Sequence, residues 1–276
     1  MSNQRFIANW HTHTFRCNHA TGDAPDYCKA ATDIGIKVLG FCDHMPTLDK
    51  SWARDRMDIS LLPGYCQAVR DAKTQFPDLK IFLGLECEWF PHFGRAYYED
   101  FIGKYGIEYL AGAPHFYQMD DLSWRAVWKR RTENDQKNDT IAYGKQVLRM
   151  IETGLFTFMA HPDLFGVFCD YWSPECEAIS RDIIQAAVAC DLPLEMNGNG
   201  IVKPFVTDAD GSSRPQYPYE RFWKIAAEEG IVALVNSDAH KPEFIDLGVD
   251  DVYAMANRIG LKLHAFTDLK NGKLAI

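Results

Sequence analysis

Short apolar runs of five or six residues, most preceded by a helical stretch that stops at a glycine or a turn, recur along this chain and leave little choice of architecture. Ala24 to Asp33 reads as helix and stops at Gly35, ahead of the strand-like Ile36 to Phe41. Thr140 to Glu152 ends at Gly154 before Leu155 to Met159, and Tyr219 to Glu229 ends at Gly230 before Ile231 to Val235. Ser173 suits an N-cap, with Pro174 at the first helical position and Glu175 to Glu177 in the first turn of a helix running to Cys190; Leu192 to Met196 follows. With Phe6 to Trp10, Ile81 to Leu85 and Ile107 to Gly112, the chain holds seven candidate strands separated by helical stretches, the pattern of a parallel sheet built from βαβ units. An open doubly wound sheet would announce itself by a glycine-rich turn after its first strand, where this chain has His11-Thr12-His13-Thr14. The expected fold is therefore α/β, a closed or nearly closed barrel.

Composition narrows the classes further. With 276 residues, 47% of them hydrophobic, the chain can bury a large core, which excludes disordered, collagenous and disulfide-stapled classes. The length would allow two domains, but α/β barrels reach it as one, and a single domain over residues 1–276 is expected. The run after Met1 to Arg5 is interrupted too soon by His11 and His13 for a signal segment, and no stretch is apolar enough to span a membrane, so a soluble, cytoplasmic protein with no membrane partner is expected. Its eight cysteines contain no C-x-x-C pair and are expected to be mostly reduced and buried. The formal charge of −9, without a basic stripe, argues against nucleic-acid binding; a small anionic ligand would need local positive charge such as metal ions. The sequence does not determine the oligomeric state.

Two long connections break the rhythm. Phe116 to Asn138 carries Trp124, Trp128 and Lys129-Arg130-Arg131, and Asn197 to Pro218 is rich in Gly, Pro and Ser. Both follow strand ends, the face on which barrel active sites lie, so they are candidate lids; the basic group reads equally well as a solvated charge cluster.

Seven of the nine histidines fall at or just beyond the C-terminal end of a candidate strand. His11 and His13 close the first, with His19 six residues on; Asp43-His44 closes the second, Glu86 the third, His115 the fourth, His161 the fifth, and Asp238 with His240 the seventh. One histidine there would be unremarkable, but this set converges imidazoles and carboxylates on one mouth, where they would stay undersolvated unless cations joined them. Imidazole with carboxylate suits zinc, manganese or iron. The period of two in His11-Thr12-His13 puts both rings on one side of an extended strand, fit to chelate one ion, and nine ligand groups exceed what one tetrahedral ion uses. Two or three ions sharing a carboxylate such as Glu86 fit the count. His92 and His264 fall outside the pattern. Cys17, Cys42 and Cys87 adjoin ligand positions and could be thiolate ligands, though a small buried hydrophobe is the expected role. Glu88 and Glu195 are further acids near the mouth, Glu88 on the same side of its strand as Glu86 and so either an outer partner of the ligands or a substrate-facing group.

These residues, in this order, resemble the PHP (polymerase and histidinol phosphatase) superfamily across nearly the whole chain. The motifs are His11-Thr12-His13-Thr14 with His19, Gly40-Phe41-Cys42-Asp43-His44, Gly84-Leu85-Glu86, Pro114-His115-Phe116, Ala160-His161-Pro162-Asp163 and Ser237-Asp238-Ala239-His240. The segment from His11 to Ala20 and Tyr217-Pro218-Tyr219-Glu220-Arg221-Phe222-Trp223 look like the histidinol-phosphate phosphatase branch. The resemblance implies a distorted (β/α)7 TIM-like barrel of the PHP type that holds three divalent transition-metal ions (Zn, Mn or Fe). One ion would take His11, His13, Glu86 and Asp238, the second Glu86, His115 and His161, and the third His19, His44 and His240. It also implies a phosphate-gripping arginine before the Tyr-Pro segment, here Arg214, with Arg16 a second candidate.

The implied chemistry is hydrolysis of a small phosphomonoester, foremost L-histidinol phosphate in histidine biosynthesis, by a metal-bridging hydroxide, with Asp238 relaying a proton and Arg214 neutralising phosphoryl charge. The alternatives are a PHP phosphoesterase of another specificity, acting on nucleotides, sugar phosphates or nucleic-acid ends, and a catalytically idle metal-binding domain. The leaving group would need an acid for its amine and a partner for its imidazole, for which Glu88, Asp120 and Asp121 are candidates.

Overall fold

A computed structural model describes residues 6–129 and 131–276, without the side chains of Glu133 and Asn134; Met1 to Arg5 and Arg130 lie outside the described residues. Seven parallel strands form one sheet in chain order: β1 (Ala8–Asn9), β2 (Val38–His44), β3 (Lys80–Cys87), β4 (Tyr109–Gly112), β5 (Phe158–Met159), β6 (Leu194–Asn197) and β7 (Ala233–Asn236). Between and after them run α1 (Ala24–Ile34), α2 (Leu62–Gln75), α3 (Arg95–Tyr105), α4 (Glu133–Glu152), α5 (Pro174–Ala189), α6 (Glu220–Glu228) and α7 (Val249–Ile259). Local chemistry accounts for their ends. Asp26 accepts from the Asp23 N–H at 2.8 Å to cap α1, which Gly35 ends at φ 86°, and Ser173 accepts from the Cys176 N–H at 3.2 Å to start α5 as expected.

The sheet curls into a nearly closed barrel. Between β1 and β7 there is no strand ladder; Trp10 N–H donates to Asn236 Oδ1 at 2.7 Å, Asn9 Nδ2 to Ser237 Oγ at 2.7 Å and His13 N–H to Ala239 O at 2.9 Å, with one parallel bridge between Thr12 and Ala239. Side-chain alternation sorts the strands into two sets. Leu39, Phe41, Leu83, Leu85 and Leu110 pack outward with the helices, while Val38, Cys42, Tyr109, Ala111 and Phe158 fill the barrel with Trp10. Gly40 and Gly84 belong to the inward rows, where a Cβ would sit 2.4 Å from the Tyr109 hydroxyl and 2.3 Å from its ring, respectively. That space lets the Tyr109 hydroxyl cross to Trp10 O at 2.7 Å. Continuing the inward rows to the strand ends brings up His44, Glu86 and His115, and the register sets His44 beside Glu86.

Both long connections carry structure that sequence reading did not foresee. The first forms an antiparallel hairpin, Phe116–Gln118 with Trp124–Ala126, and α4 begins at Glu133 rather than near Thr140. The second forms a one-turn helix, Asn199–Val202, and a two-residue ladder, Val206–Thr207 with Ser213–Arg214. Arg131 is no solvated charge: it donates to Asp139 at 2.7 Å and to the Tyr117 hydroxyl at 2.8 Å. A C-terminal hairpin, Asp268–Lys270 with Lys273–Ala275, adjoins the opposite end of the barrel, where Trp10 Nε1 donates to Phe266 O at 3.0 Å. All eight cysteines are free and all but Cys190 are buried, and no described helix is long and apolar enough to cross a membrane.

Candidate metal centre

Glu86 is the hub of the barrel mouth. Its two oxygens lie 2.8 Å from His44 Nδ1, 2.9 Å from His161 Nε2, 3.4 Å from His11 Nε2, 3.5 Å from His115 Nε2 and 3.6 Å from His13 Nε2. Asp238 Oδ1 lies 3.0 Å from His13 Nε2 and 3.6 Å from His11 Nε2. At the outer edge His19 Nε2 and His240 Nε2 are 3.0 Å apart, with the His44 ring centroid 5.2 Å from that of His19. All nine residues singled out as metal-ligand candidates thus come together. The backbone is bent to present two of them, His161 at φ 30° and Asp238 at φ 53°, a conformation that costs a non-glycine residue about 1–3 kcal/mol and concentrates at functional sites.

The rings are oriented from behind. Glu195 Oε1 accepts from His11 Nδ1 at 2.9 Å and from Asn236 at 2.7 Å, while its Oε2 accepts from the His161 N–H and Asn197 Nδ2, each at 3.0 Å. Glu88 accepts from His115 Nδ1 at 2.9 Å and from Arg56 by two bonds of 2.7 and 2.8 Å, with Arg56 and Glu88 both buried. His19 and His240 donate through Nδ1 to the carbonyls of Cys17 and Asp238, at 2.8 and 3.0 Å. In these four rings one nitrogen is tied down and the other is presented to the mouth, the arrangement that metal-ligating histidines adopt.

Whether this donor set fits metal ions is answered by its unsatisfied atoms. Nine buried side-chain nitrogen or oxygen atoms among the described residues lack a hydrogen-bond partner, and seven of them belong to the cluster: His11 Nε2, both ring nitrogens of His13, His44 Nδ1, His161 Nδ1, Glu86 Oε2 and Asp238 Oδ1. Buried polar atoms are otherwise paired in folded proteins, and imidazole nitrogens with carboxylate oxygens are the donors that divalent transition metals take. Several subsets, among them His11 with His13 and Glu86, and His13 with His44 and His240, have their ligand atoms within 4.8 Å of one another. Ionisation agrees. Against the penalty of burial, His44, His115 and His11 hold the Glu86 carboxyl well below its usual range, and His11, His13 and His240 do the same for Asp238. Burial pushes His44 down to about 3 and His240 well below its ordinary value, whereas, against burial, the carboxylates beside His11 and His13 hold those two rings well above theirs.

Above the cluster opens a cavity of about 980 Å³ whose walls include Trp52, Phe116, Trp124, Trp128 and Lys203. Neither arginine expected to grip phosphate lines it. Arg214 donates to Asp208 at 3.0 Å and to Cys169 O at 2.6 Å and lies over the Tyr219 ring, so its guanidinium is already engaged; Arg16 is held by Asp23 at 2.5 and 2.9 Å. Glu88 is turned to Arg56 and His115, which occupy both its oxygens. Asp120 and Asp121 sit in the hairpin turn, engaged with Lys145 and Ser123. His92 is exposed and pairs with Asp49, and His264 stacks on Phe266 near the C-terminal hairpin, so both stand apart from the site. Sequence reading missed the roles of Arg56, Glu195 and Lys203. Lys203 Nζ stands 4.4 Å from the Trp128 ring centroid and 5.4 Å from that of Tyr217, and no described carboxylate pairs with it.

Comparison with known proteins agrees with this architecture. A histidinol phosphate phosphatase from Lactococcus lactis, solved with zinc, L-histidinol and phosphate, is 17% identical and superimposes with a TM-score of 0.71 over 98% of this chain and 99% of its own, which establishes the shared fold. A probable histidinol-phosphatase of Deinococcus radiodurans is 28% identical over 271 residues, 96% of this chain and 98% of that protein. One of Schizosaccharomyces pombe, also described as a probable histidinol-phosphatase, is 20% identical over 278 residues, 91% of this chain and 86% of its own. The PHP domain matches residues 9–199, more than half the length and most of the ligand cluster, so the chain belongs to the PHP domain family.

Proposed function

We propose that this protein is a metal-dependent phosphatase that hydrolyses L-histidinol phosphate to L-histidinol and phosphate, a cytoplasmic step of histidine biosynthesis. The observation that carries the reading is the set of unsatisfied, buried imidazole and carboxylate atoms gathered on Glu86 at the floor of an aromatic-walled cavity with a lysine in its wall. Three ions account for the donors: His11, His13, Glu86 and Asp238 for one, Glu86, His115 and His161 for the second, and His19, His44 and His240 for the third. When bound, such ions supply positive charge against phosphoryl oxygens and lower the pKa of water towards about 7.

The chain's own groups do the rest. Lys203 offers its ammonium to the phosphoryl group from the wall, the part first expected of Arg214, and such preorganised charge is the main contribution a protein makes to phosphoryl transfer. As water oxygen bonds to phosphorus and the ester P–O bond breaks, a proton must pass from the water to the leaving alkoxide. Asp238, held ionised at the cavity floor with Oδ1 3.0 Å from His13 Nε2, is the group assigned here to take and return it. The leaving group meets Trp52, whose ring centroid is 4.0 Å from that of Phe116, with Trp124 beside them, a surface on which an imidazole can stack; Asp55 and Asp135, which also line the cavity, offer carboxylates to its amine.

The test is a screen of metal-replete protein against histidinol phosphate, sugar phosphates, nucleotides and phosphodiesters. Histidinol phosphate should give the highest kcat/KM. A tenfold advantage for a diester or nucleotide would replace this substrate with another phosphoester, and no turnover of any substrate by fully loaded protein would leave a metal-binding domain without catalysis.

A further inference from the structure

The resemblance assigns the third ion three histidines, yet the structure brings a fourth donor to the same place. Cys17 ends a 3-10 turn, Phe15–Cys17, that Asn18 closes at φ 69°, and this tight reversal returns the chain so that Cys17 and His19 face one pocket. The Cys17 side chain is fully buried although His19 beside it is exposed. The ligand atoms of Cys17, His19 and His240 lie within 4.8 Å of one another, close enough to share one tetrahedral ion.

The two histidines define the gap between them. A carbonyl oxygen can only accept, so Nδ1 of His19, 2.8 Å from Cys17 O, and Nδ1 of His240, 3.0 Å from Asp238 O, each carry the ring proton. In neutral rings both Nε2 atoms then bear lone pairs, and these atoms face each other at 3.0 Å. A cation held between them relieves that opposition. Cys17 is the third group around the gap, and a thiol gives up its proton on binding a transition metal.

We propose that Cys17 binds, as the thiolate through Sγ, the same ion as His19 and His240, making the outermost ion of the cluster a sulfur-ligated site. Sulfur changes what the site selects. Oxygen and imidazole donors accept manganese and magnesium, whereas a thiolate favours zinc and other softer ions. The outer position would thus be a zinc site beside two positions built only of imidazole and carboxylate, and a preparation loaded with manganese alone should fill it poorly. The proposal rests on the metal-centre reading above.

The experiment uses the whole protein loaded with cobalt(II). Wild type should show the intense near-ultraviolet sulfur-to-cobalt charge-transfer band; Cys17→Ser should lose it, while Cys42→Ser should keep it. Chelator titration followed by metal analysis should show one ion leaving Cys17→Ser at a chelator concentration on the order of 10–100-fold lower than in wild type. Because a variant can misfold, zinc-edge X-ray absorption of the unmutated zinc-loaded protein provides a second measurement, with a sulfur scatterer expected at about 2.3 Å. A fully loaded wild type with no charge-transfer band and no sulfur scatterer, or a band that survives Cys17→Ser, overturns the proposal and leaves the histidine-only site. Protein that binds no metal overturns the metal-centre reading instead.

Discussion

Arg56→Met removes the cation from a buried ion pair while keeping an unbranched side chain of similar reach. Arg56 is 2% exposed and Glu88 1%, and beside the two guanidinium bonds of 2.7 and 2.8 Å the one further partner of Glu88 among the described residues is His115 Nδ1. Each bond between charged groups is worth about 1.5–3 kcal/mol, so the pair of them sums to about 3–6 kcal/mol. Breaking one side of a buried ion pair costs about 3–5 kcal/mol by direct comparison, because the remaining charge is stranded. We therefore expect a loss of about 3–5 kcal/mol in urea unfolding, measured on chelator-treated protein so that metal binding does not enter. The sign of the pH dependence follows. Against burial, Arg56 and His115 hold the Glu88 carboxyl well below its ordinary range, so its stabilising contribution is present above the unfolded value of about 4.3 and is lost as the pH falls through and below it. Arg56→Met should flatten that acid limb. The variant should also bind metal on the order of 10–100-fold more weakly, since Glu88 orients His115. A stability within about 1 kcal/mol of wild type at neutral pH, with the acid limb unchanged, would refute the reasoning.

Three further outcomes are expected. Glu86→Gln should lose nearly all turnover and most bound metal by elemental analysis while the circular dichroism spectrum stays that of wild type, and His92→Asn and His264→Asn should change kcat/KM less than twofold. Lys203→Ala should lower phosphomonoester kcat/KM by about tenfold or more at unchanged metal content, whereas Arg214→Ala should act mainly on thermal stability, through its contacts with Asp208, Cys169 and Tyr219. Gly40→Ala should destabilise by about 1–3 kcal/mol in denaturant unfolding, because its Cβ would meet the Tyr109 hydroxyl at 2.4 Å and the Trp10 backbone at 2.9 Å.

The parts of this molecule legible in its sequence are those written by local period. Inward and outward rows alternate along each strand, so His44, Glu86 and His115 could be placed at strand ends from spacing alone, and His11 with His13 on one side of their strand. The groups that orient them are harder to read. Arg56 lies in a loop and meets Glu88 at a separation of 32 residues, a pairing no local pattern encodes. Glu195 carried a usable signal, since it alternates with Asn197 in an otherwise apolar run and so had to point both polar groups into the barrel. Arg214 is of a type that suits phosphate, but its contacts with Asp208 and Tyr219, brought close by a ladder of two residues, are not readable from local pattern. β1 ends at Asn9, short of its apolar run, where the Trp10 backbone N–H goes to the Asn236 side chain instead of to a neighbouring strand.

That short first strand leaves the barrel with a seam, fastened by a few side-chain bonds and a single bridge where other strands share a ladder. His11 and His13 stand on one lip of the seam and Asp238 and His240 on the other, so any ion they hold in common is also a rivet across it. Withdrawing that ion should loosen the two ends of the strand order before the middle. Amide hydrogens at Trp10 and His13 should exchange sooner than those of β2 and β3, and the protein that has lost its chemistry would be the one that has come unbuttoned along this edge.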